Sequence, residues 1–318
     1  MNWFRYMNKK VLLTGSSGFL GSQLIKDLVL NNFIVTALDI NDPVKKLEEV
    51  KYIKADLKNY LNNTNLLNEF ELIIHAASVL PYKNNEKEIW DKNFSTTKKL
   101  VQNLEKKDNI FFIYVSSSAV YGKPLSLPIN INTLRNPLDV YGESKVNSEN
   151  YIIDNLNKES FAIIRPRTIL GDERSGIFDI FFNLIKMRIP LPIPNNGRQI
   201  IQFVEVRDLS NLIVHIAKSK LSGIWPAAGP TPESLNYLLK SLSQKIKKRI
   251  FIVNINTKFF QYIGKILIFL KITKFTSWHF GAFPHDFYFD KKWVPNDFKY
   301  KYTSNEAFFN NARKFFKI

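Results

Sequence analysis

Two groups of residues in this chain have types and spacings that could do chemistry together. The first is Ser116-Ser117-Ser118, followed by Ala119-Val120-Tyr121-Gly122, at the end of the apolar run Ile110 to Val115. The second is Tyr141-Gly142-Glu143-Ser144-Lys145. A spacing of four sets Tyr141 and Lys145 side by side on one helix face. An ammonium beside a phenol favours the phenolate. Bringing a phenol from about 10 towards 7 takes roughly 4 kcal/mol of differential stabilisation. The product is a general base that can take a proton from a sugar or alcohol hydroxyl as hydride leaves its carbon, with a serine hydroxyl holding the same oxygen.

A departing hydride needs an acceptor, and the N-terminal region reads as a place to hold one. The stretch Thr14-Gly15-Ser16-Ser17-Gly18-Phe19-Leu20-Gly21 follows the apolar run Val11-Leu12-Leu13 and precedes a helix-like segment. Gly15 permits a tight turn, Gly18 lets backbone approach a pyrophosphate, and Gly21 lets the helix sit close to the strand. The free N–H groups and dipole at the helix start favour the anion. The next apolar run, Phe33 to Leu38, ends in Asp39. An acid there can accept hydrogen bonds from both ribose hydroxyls and repel a 2′-phosphate. Ile40 and Asn41 follow, not an arginine, so NAD is expected over NADP.

The elements that must position these groups are strands of a parallel sheet. Strand-length apolar runs recur at 11–14, 33–38, 72–75, 110–115 and 161–164, with a shorter one at Tyr52-Ile53 and helix-like segments between most of them. Strands apolar throughout and alternating with helices predict an α/β, Rossmann-like doubly wound parallel sheet covered on both faces. After about residue 170 the rhythm breaks, with prolines at 190, 192 and 194. The expected division is therefore 1–170 for the nucleotide-binding and catalytic residues. Residues 171–318 should form mainly a smaller, irregular substrate lobe, with some segments returning to the first.

With 318 residues the chain can bury a substantial core. It has no cysteine, which excludes disulfides, thiolate chemistry and Cys-ligated metal, and its four histidines show no metal spacing. No metal is expected. The net charge of +17 is uneven: residues 1–160 carry 20 Lys+Arg against 18 Asp+Glu, and residues 161–318 carry 25 against 10. A basic second half could attract a doubly phosphorylated substrate or an anionic membrane surface. It could equally reflect codon bias, since Lys, Asn, Ile and Phe are all abundant. No nucleic-acid recognition motif accompanies the charge. Met1 to Asn8 reads as too short and polar for a signal peptide. Lys265, Lys271 and Lys274 interrupt the apolar window 259–275, so it reads as a helix packed on the second lobe, or lying on a membrane surface, and not as a span. A cytoplasmic protein, with peripheral membrane contact as an option, is expected.

Taken in order, these motifs resemble the extended short-chain dehydrogenase/reductases, in the branch of NAD-dependent epimerases and dehydratases that act on nucleotide sugars. The residues that carry the resemblance are Thr14 to Gly21, Asp39, Asp56-Leu57, His75-Ala76-Ala77, Asn93, Ser116 to Gly122, Tyr141 to Lys145, Arg165-Pro166, and Phe203-Val204 with Val206 and Asp208. The last hundred residues are weakly covered. The resemblance implies a cofactor site of Gly15, Ser17, Gly18, Phe19, Leu20, Gly21 and Asp39, with Asp56 and Leu57 flanking the adenine. It adds Ala76, Ala77, Ser78, Asn93, Ser116, Tyr141, Lys145 and Pro166. It makes Ser117 the catalytic serine, and Tyr121 structural. Asn93 and His75 could instead satisfy buried backbone groups. Candidate substrate contacts are Ser118, Thr168, Arg174, Arg198 and Gln202, the arginine forks suiting phosphate. A homodimer is implied as well.

Departures from the family pattern narrow the chemistry. Ser118 and Ala119 stand where dehydratases of this family carry Asp-Glu, which disfavours 4,6-dehydration. Thr168 stands where many sugar-nucleotide epimerases carry asparagine. The leading expectation is an NAD-dependent nucleotide-sugar epimerase in surface-polysaccharide or sugar-nucleotide metabolism. The alternatives are a dehydrogenase or ketoreductase on a sugar, sterol or lipid-linked alcohol, and a non-catalytic dinucleotide sensor.

Overall fold

The computed structural model describes residues 9–81, 84–105, 107, 109–172, 177–270 and 277–316. The apolar runs become strands: β1 (Lys10–Thr14), β2 (Ile34–Asp39), β3 (Lys51–Lys54), β4 (Leu72–His75), β5 (Phe111–Val115) and β6 (Phe161–Pro166). With a strand at Gly223–Ala227 they form one parallel sheet in the order Gly223–Ala227, β6, β5, β4, β1, β2, β3. This is the expected Rossmann-like doubly wound fold. The strand order reverses between β1 and β4, so a crevice opens beyond their C-terminal ends, the usual ligand position in such sheets.

The strands are apolar on both sides because both sides are covered. One face packs Leu13, Val35 and Ile74 against helix α1 (Phe19–Leu30), through Leu20, Leu24 and Leu28, and against the Val206–Ser219 helix, through Leu209 and Ile213. The other face packs Leu12, Ile73 and Phe112 against the Thr96–Leu104 helix and the Val140–Asn155 helix. Two segments from beyond residue 170 thus complete the sheet layer, Val206–Ser219 as cover and Gly223–Ala227 as an edge strand with Trp225 in register with Ile164. Pro226 sits in that strand, and an edge tolerates its missing N–H.

The remaining second-half residues build their own core from Phe178, Phe182, Leu191, Leu238 and Phe308, the Phe182 and Phe308 rings lying 5.2 Å apart. Its strand pairings are short: Ile169–Leu170 with Val204–Glu205, Leu191–Pro194 with Ile252–Ile255, and Ile200–Ile201 with Glu233–Ser234. Among the described residues no helix is long and apolar enough to cross a membrane.

Candidate active site

The glycine turn is a backbone cradle. Gly15 has φ +73°, and a Cβ there would lie 2.5 Å from the Ala77 amide nitrogen. Only glycine fits that conformation and that space. The Gly15 N–H donates to the Leu38 carbonyl at 3.0 Å, tying the turn to the end of β2. Gly18 is the N-cap of α1, and no side chain caps the helix. The dipole and first-turn amides therefore face the crevice and suit an anion. Asp39 holds the turn from the other side, accepting from the Ser17 amide at 3.0 Å and the Asn41 amide at 2.9 Å.

Opposite the turn, the Val140–Asn155 helix starts at Asp139, whose carboxylate accepts from the Gly142 amide at 2.9 Å. Gly142 lets this helix press on the serine loop, since a Cβ there would lie 2.8 Å from the Ala119 carbonyl oxygen. Tyr141 is thereby brought to the same wall as Ser117. The Ser117 hydroxyl oxygen accepts from the Ala119 amide at 3.1 Å, while Ser116 is committed elsewhere, donating to Glu149 at 2.6 Å. Lys145 is buried, donates to the Val115 carbonyl at 3.0 Å, and has its Nζ 5.9 Å from the centre of the Tyr141 ring. Burial pulls its pKa to about 7, with the Glu149 carboxylate opposing.

These groups line a single chamber of about 370 Å³, with Gly15, Gly18, Phe19, Leu20 and Gly21 at one end and Ser116, Ser117, Ser118, Tyr141 and Lys145 along its wall. Ala76, Ser78, Pro166 and Thr168 also line it. The other expected residues lie outside this wall. Asp56 caps a short helix and pairs with Lys92 at 2.6 Å, and Leu57 is buried in the core. Asn93 clamps the Val79 backbone, accepting from its N–H at 2.8 Å and donating to its carbonyl at 3.1 Å, and takes the Ser78 hydroxyl at 3.1 Å. Gln202 is spent on the Gly229 carbonyl at 2.7 Å and the Phe289 amide at 2.9 Å. Arg198 is exposed, and Arg174 lies outside the described residues.

His75 is a structural link. Thr97 gives its own proton to the Asn93 carbonyl, so His75 Nε2 donates to Thr97 at 3.0 Å and Nδ1 accepts from Thr14 at 2.7 Å. Burial, helped by the Lys145 charge, lowers its pKa from 6.5 to about 3, and burial beside Arg167 lowers that of His279 to about 4. Both stay neutral when folded and gain protons near 6.5 on unfolding. Their stability contribution is complete above that pH and is lost as pH falls towards 3 for His75 and towards 4 for His279, by about 1.4 kcal/mol per pH unit for each group. Urea midpoints should therefore fall steadily between pH 6.5 and 4, and His75→Gln should flatten the slope. An unchanged slope in that variant would remove His75 from the account.

A second chamber of about 260 Å³ adjoins the first and shares Arg167, Thr168, Phe178, Trp278 and His279 with it. Its wall is otherwise apolar, including Phe181, Leu184, Ile201 and, from the Thr257–Phe269 helix, Phe260, Ile263 and Leu267. Sequence reasoning gave none of Arg167, Trp278 and His279 a role. Trp278 and His279 reach the site from over a hundred residues away, and no spacing signals that.

The sequence profile of the NAD dependent epimerase/dehydratase family matches residues 11–226. A UDP-glucose 4-epimerase of Vibrio cholerae is 27% identical over 220 residues, covering 66% of this chain and 67% of that protein. A mouse sterol-4-alpha-carboxylate 3-dehydrogenase, decarboxylating, is 26% identical over 207 residues, covering 63% and 57%. The first curated relatives are spanned over only 54 to 70% of their own length. The crystal structure of UDP-glucuronic acid 4-epimerase from Bacillus cereus with NAD superposes with a TM-score of 0.75 at 18% identity, covering 96% of this chain and 98% of that one.

Proposed function

We propose that this chain, which belongs to the NAD dependent epimerase/dehydratase family, is an NAD-dependent epimerase acting on a nucleotide sugar. The observation that carries the reading is one chamber walled by both the glycine turn and Ser117, Tyr141 and Lys145. The cradle suits the cofactor: Gly15 leaves no room for a Cβ, the N-terminus of α1 has no side-chain cap, and Asp39 stands beside the turn. Gly15 to Gly21 would hold its pyrophosphate and Asp39 its adenine ribose, with Asp56 and Leu57 nearer the adenine. Bound there, NAD supplies the hydride acceptor. Ser117 holds the reacting oxygen, and Tyr141 takes the hydroxyl proton and later returns it to the same oxygen. Lys145, adjacent on the helix, favours the phenolate. Residues 1–170 do this work, and 171–318 receive the rest of the substrate.

Purified protein incubated with NAD and a panel of UDP-, GDP-, CDP- and dTDP-sugars tests the reading. An isomer of unchanged mass without accumulating NADH is the expected product. No isomer from any member of the panel would sink it. The apolar second chamber supports a second reading, a one-way dehydrogenase on an alcohol with an apolar body, which would accumulate NADH. Peripheral membrane contact belongs to the same proposal, because the Thr257–Phe269 helix also turns Phe259, Tyr262, Ile266 and Phe269 outward as an exposed stripe. Pairing of two copies is proposed from the family resemblance, and light scattering would report it as twice the chain mass.

A further inference from the structure

Arg167 is a buried cation that no carboxylate among the described residues neutralises. Its contrast is Arg165, two positions earlier, which is clamped by Glu149 at 2.6 and 3.0 Å. The Arg167 guanidinium lies instead over aromatic rings, 4.0 Å from the centre of Phe287 and 5.5 Å from that of Trp278. Among the described residues it donates once, to the Thr168 hydroxyl at 3.3 Å, and its Nε has no partner. The indole N–H of Trp278, on the same shared wall, has none among the described residues either. Buried donors of this kind are normally satisfied, and a buried charge is normally paired. Ring faces compensate a cation only in part. What the wall shared by the two chambers lacks is an oxyanion.

The second chamber is apolar. Apart from the shared wall, the second chamber is lined by hydrocarbon and aromatic side chains such as Phe181, Leu184, Ile201 and Ile263. These side chains offer nothing to the polar edge of a base or the hydroxyls of a ribose. The helix supplying Phe260, Ile263 and Leu267 also exposes apolar side chains on its outer face.

We propose that the two chambers receive a phosphate-linked sugar on an apolar, isoprenoid-like carrier, with sugar at Ser117 and Tyr141, phosphate on Arg167 and Trp278, and carrier in the second chamber. The inference rests on reading Ser117, Tyr141 and Lys145 as a sugar-oxidising site, and it adds an apolar carrier to the nucleoside as a group on which the sugar is delivered. Phosphate is common to both carriers, so the test separates them by the group esterified to the phosphate.

The experiment is calorimetric titration of the NAD-saturated protein with farnesyl diphosphate and with UDP, which needs no turnover. Farnesyl diphosphate should bind at least tenfold tighter than inorganic pyrophosphate, with UDP titrated alongside. Arg167→Gln should weaken it tenfold or more, and Arg167→Lys should recover only part, since the lysine keeps the charge and loses the fork. Ile263→Trp, which fills the second chamber, should weaken farnesyl diphosphate tenfold and leave inorganic pyrophosphate unaffected. Unchanged NAD affinity in each variant reports an intact fold. No binding of farnesyl diphosphate, or binding indifferent to both Arg167 and Ile263, would overturn the proposal. Isomerisation of a UDP-sugar alongside farnesyl diphosphate failure would leave the epimerase reading standing while this one falls.

Discussion

Tyr141→Phe should lower kcat about a thousandfold and leave NAD affinity within twofold of the parent. The phenol oxygen is the only group removed, and proton transfer by a positioned base is worth roughly 10²–10⁴ in rate. A thousandfold is about 4 kcal/mol of transition-state stabilisation. The ring remains, so its place between the serine loop and Lys145 is kept. Ser117→Ala should lose less, about a hundredfold, because in the proposed mechanism Ser117 holds the oxygen and does not carry the proton. The measurements are product formation by chromatography and NAD binding by calorimetry. Activity within tenfold of the parent would remove Tyr141 from the role of base.

The second large effect is on stability. Glu149 is buried on the same helix and accepts from four donors: Arg165 Nε at 3.0 Å and Nη2 at 2.6 Å, Arg135 Nη1 at 3.1 Å and the Ser116 hydroxyl at 2.6 Å. The remaining Arg165 nitrogen, Nη1, donates to the Tyr121 hydroxyl at 2.5 Å. Glu149→Gln keeps the shape and removes the charge, stranding Arg165 as an unpaired buried cation. Breaking one side of such a pair typically takes about 3–5 kcal/mol. Urea unfolding followed by circular dichroism should show a loss of that size. Replacing Arg165 by Met together with Glu149 by Leu should recover part of it, because the stranded charge goes too. A loss below about 1 kcal/mol for Glu149→Gln would mean the network is not buried as described.

How much of this was readable from the sequence depends on how local the signal was. β1, the glycine turn and α1 are contiguous, and each residue's reason lies within a few positions of it. The four-residue step from Tyr141 to Lys145 is equally local, since helix geometry alone aligns them. The Gly223–Ala227 strand is absent from the strand-length apolar runs of the sequence, because its apolar stretch is short and contains Pro226, and only its pairing with β6 makes it a strand. Arg167 stood in plain view in Arg165-Pro166-Arg167-Thr168, yet nothing in the string tells which arginine finds a carboxylate. That difference depends on Glu149, Trp278 and Phe287, which the fold delivers from distant positions. Gln202 illustrates the converse: a polar residue in a suggestive segment turned out to be fully occupied by backbone.

The late arrival of Gly223–Ala227 and Val206–Ser219 in the sheet layer bears on how the chain is made. Until residue 227 has left the ribosome, β6 has a bare edge and α1 has no helix beside it. The first 170 residues therefore contain the glycine turn together with Ser117, Tyr141 and Lys145 without being able to close around them. A nascent chain halted there is an exposed sheet, a natural client for a chaperone. The order of synthesis and the order of folding thus part company in this protein, and the chamber beside the glycine turn is completed only once translation is well past residue 170.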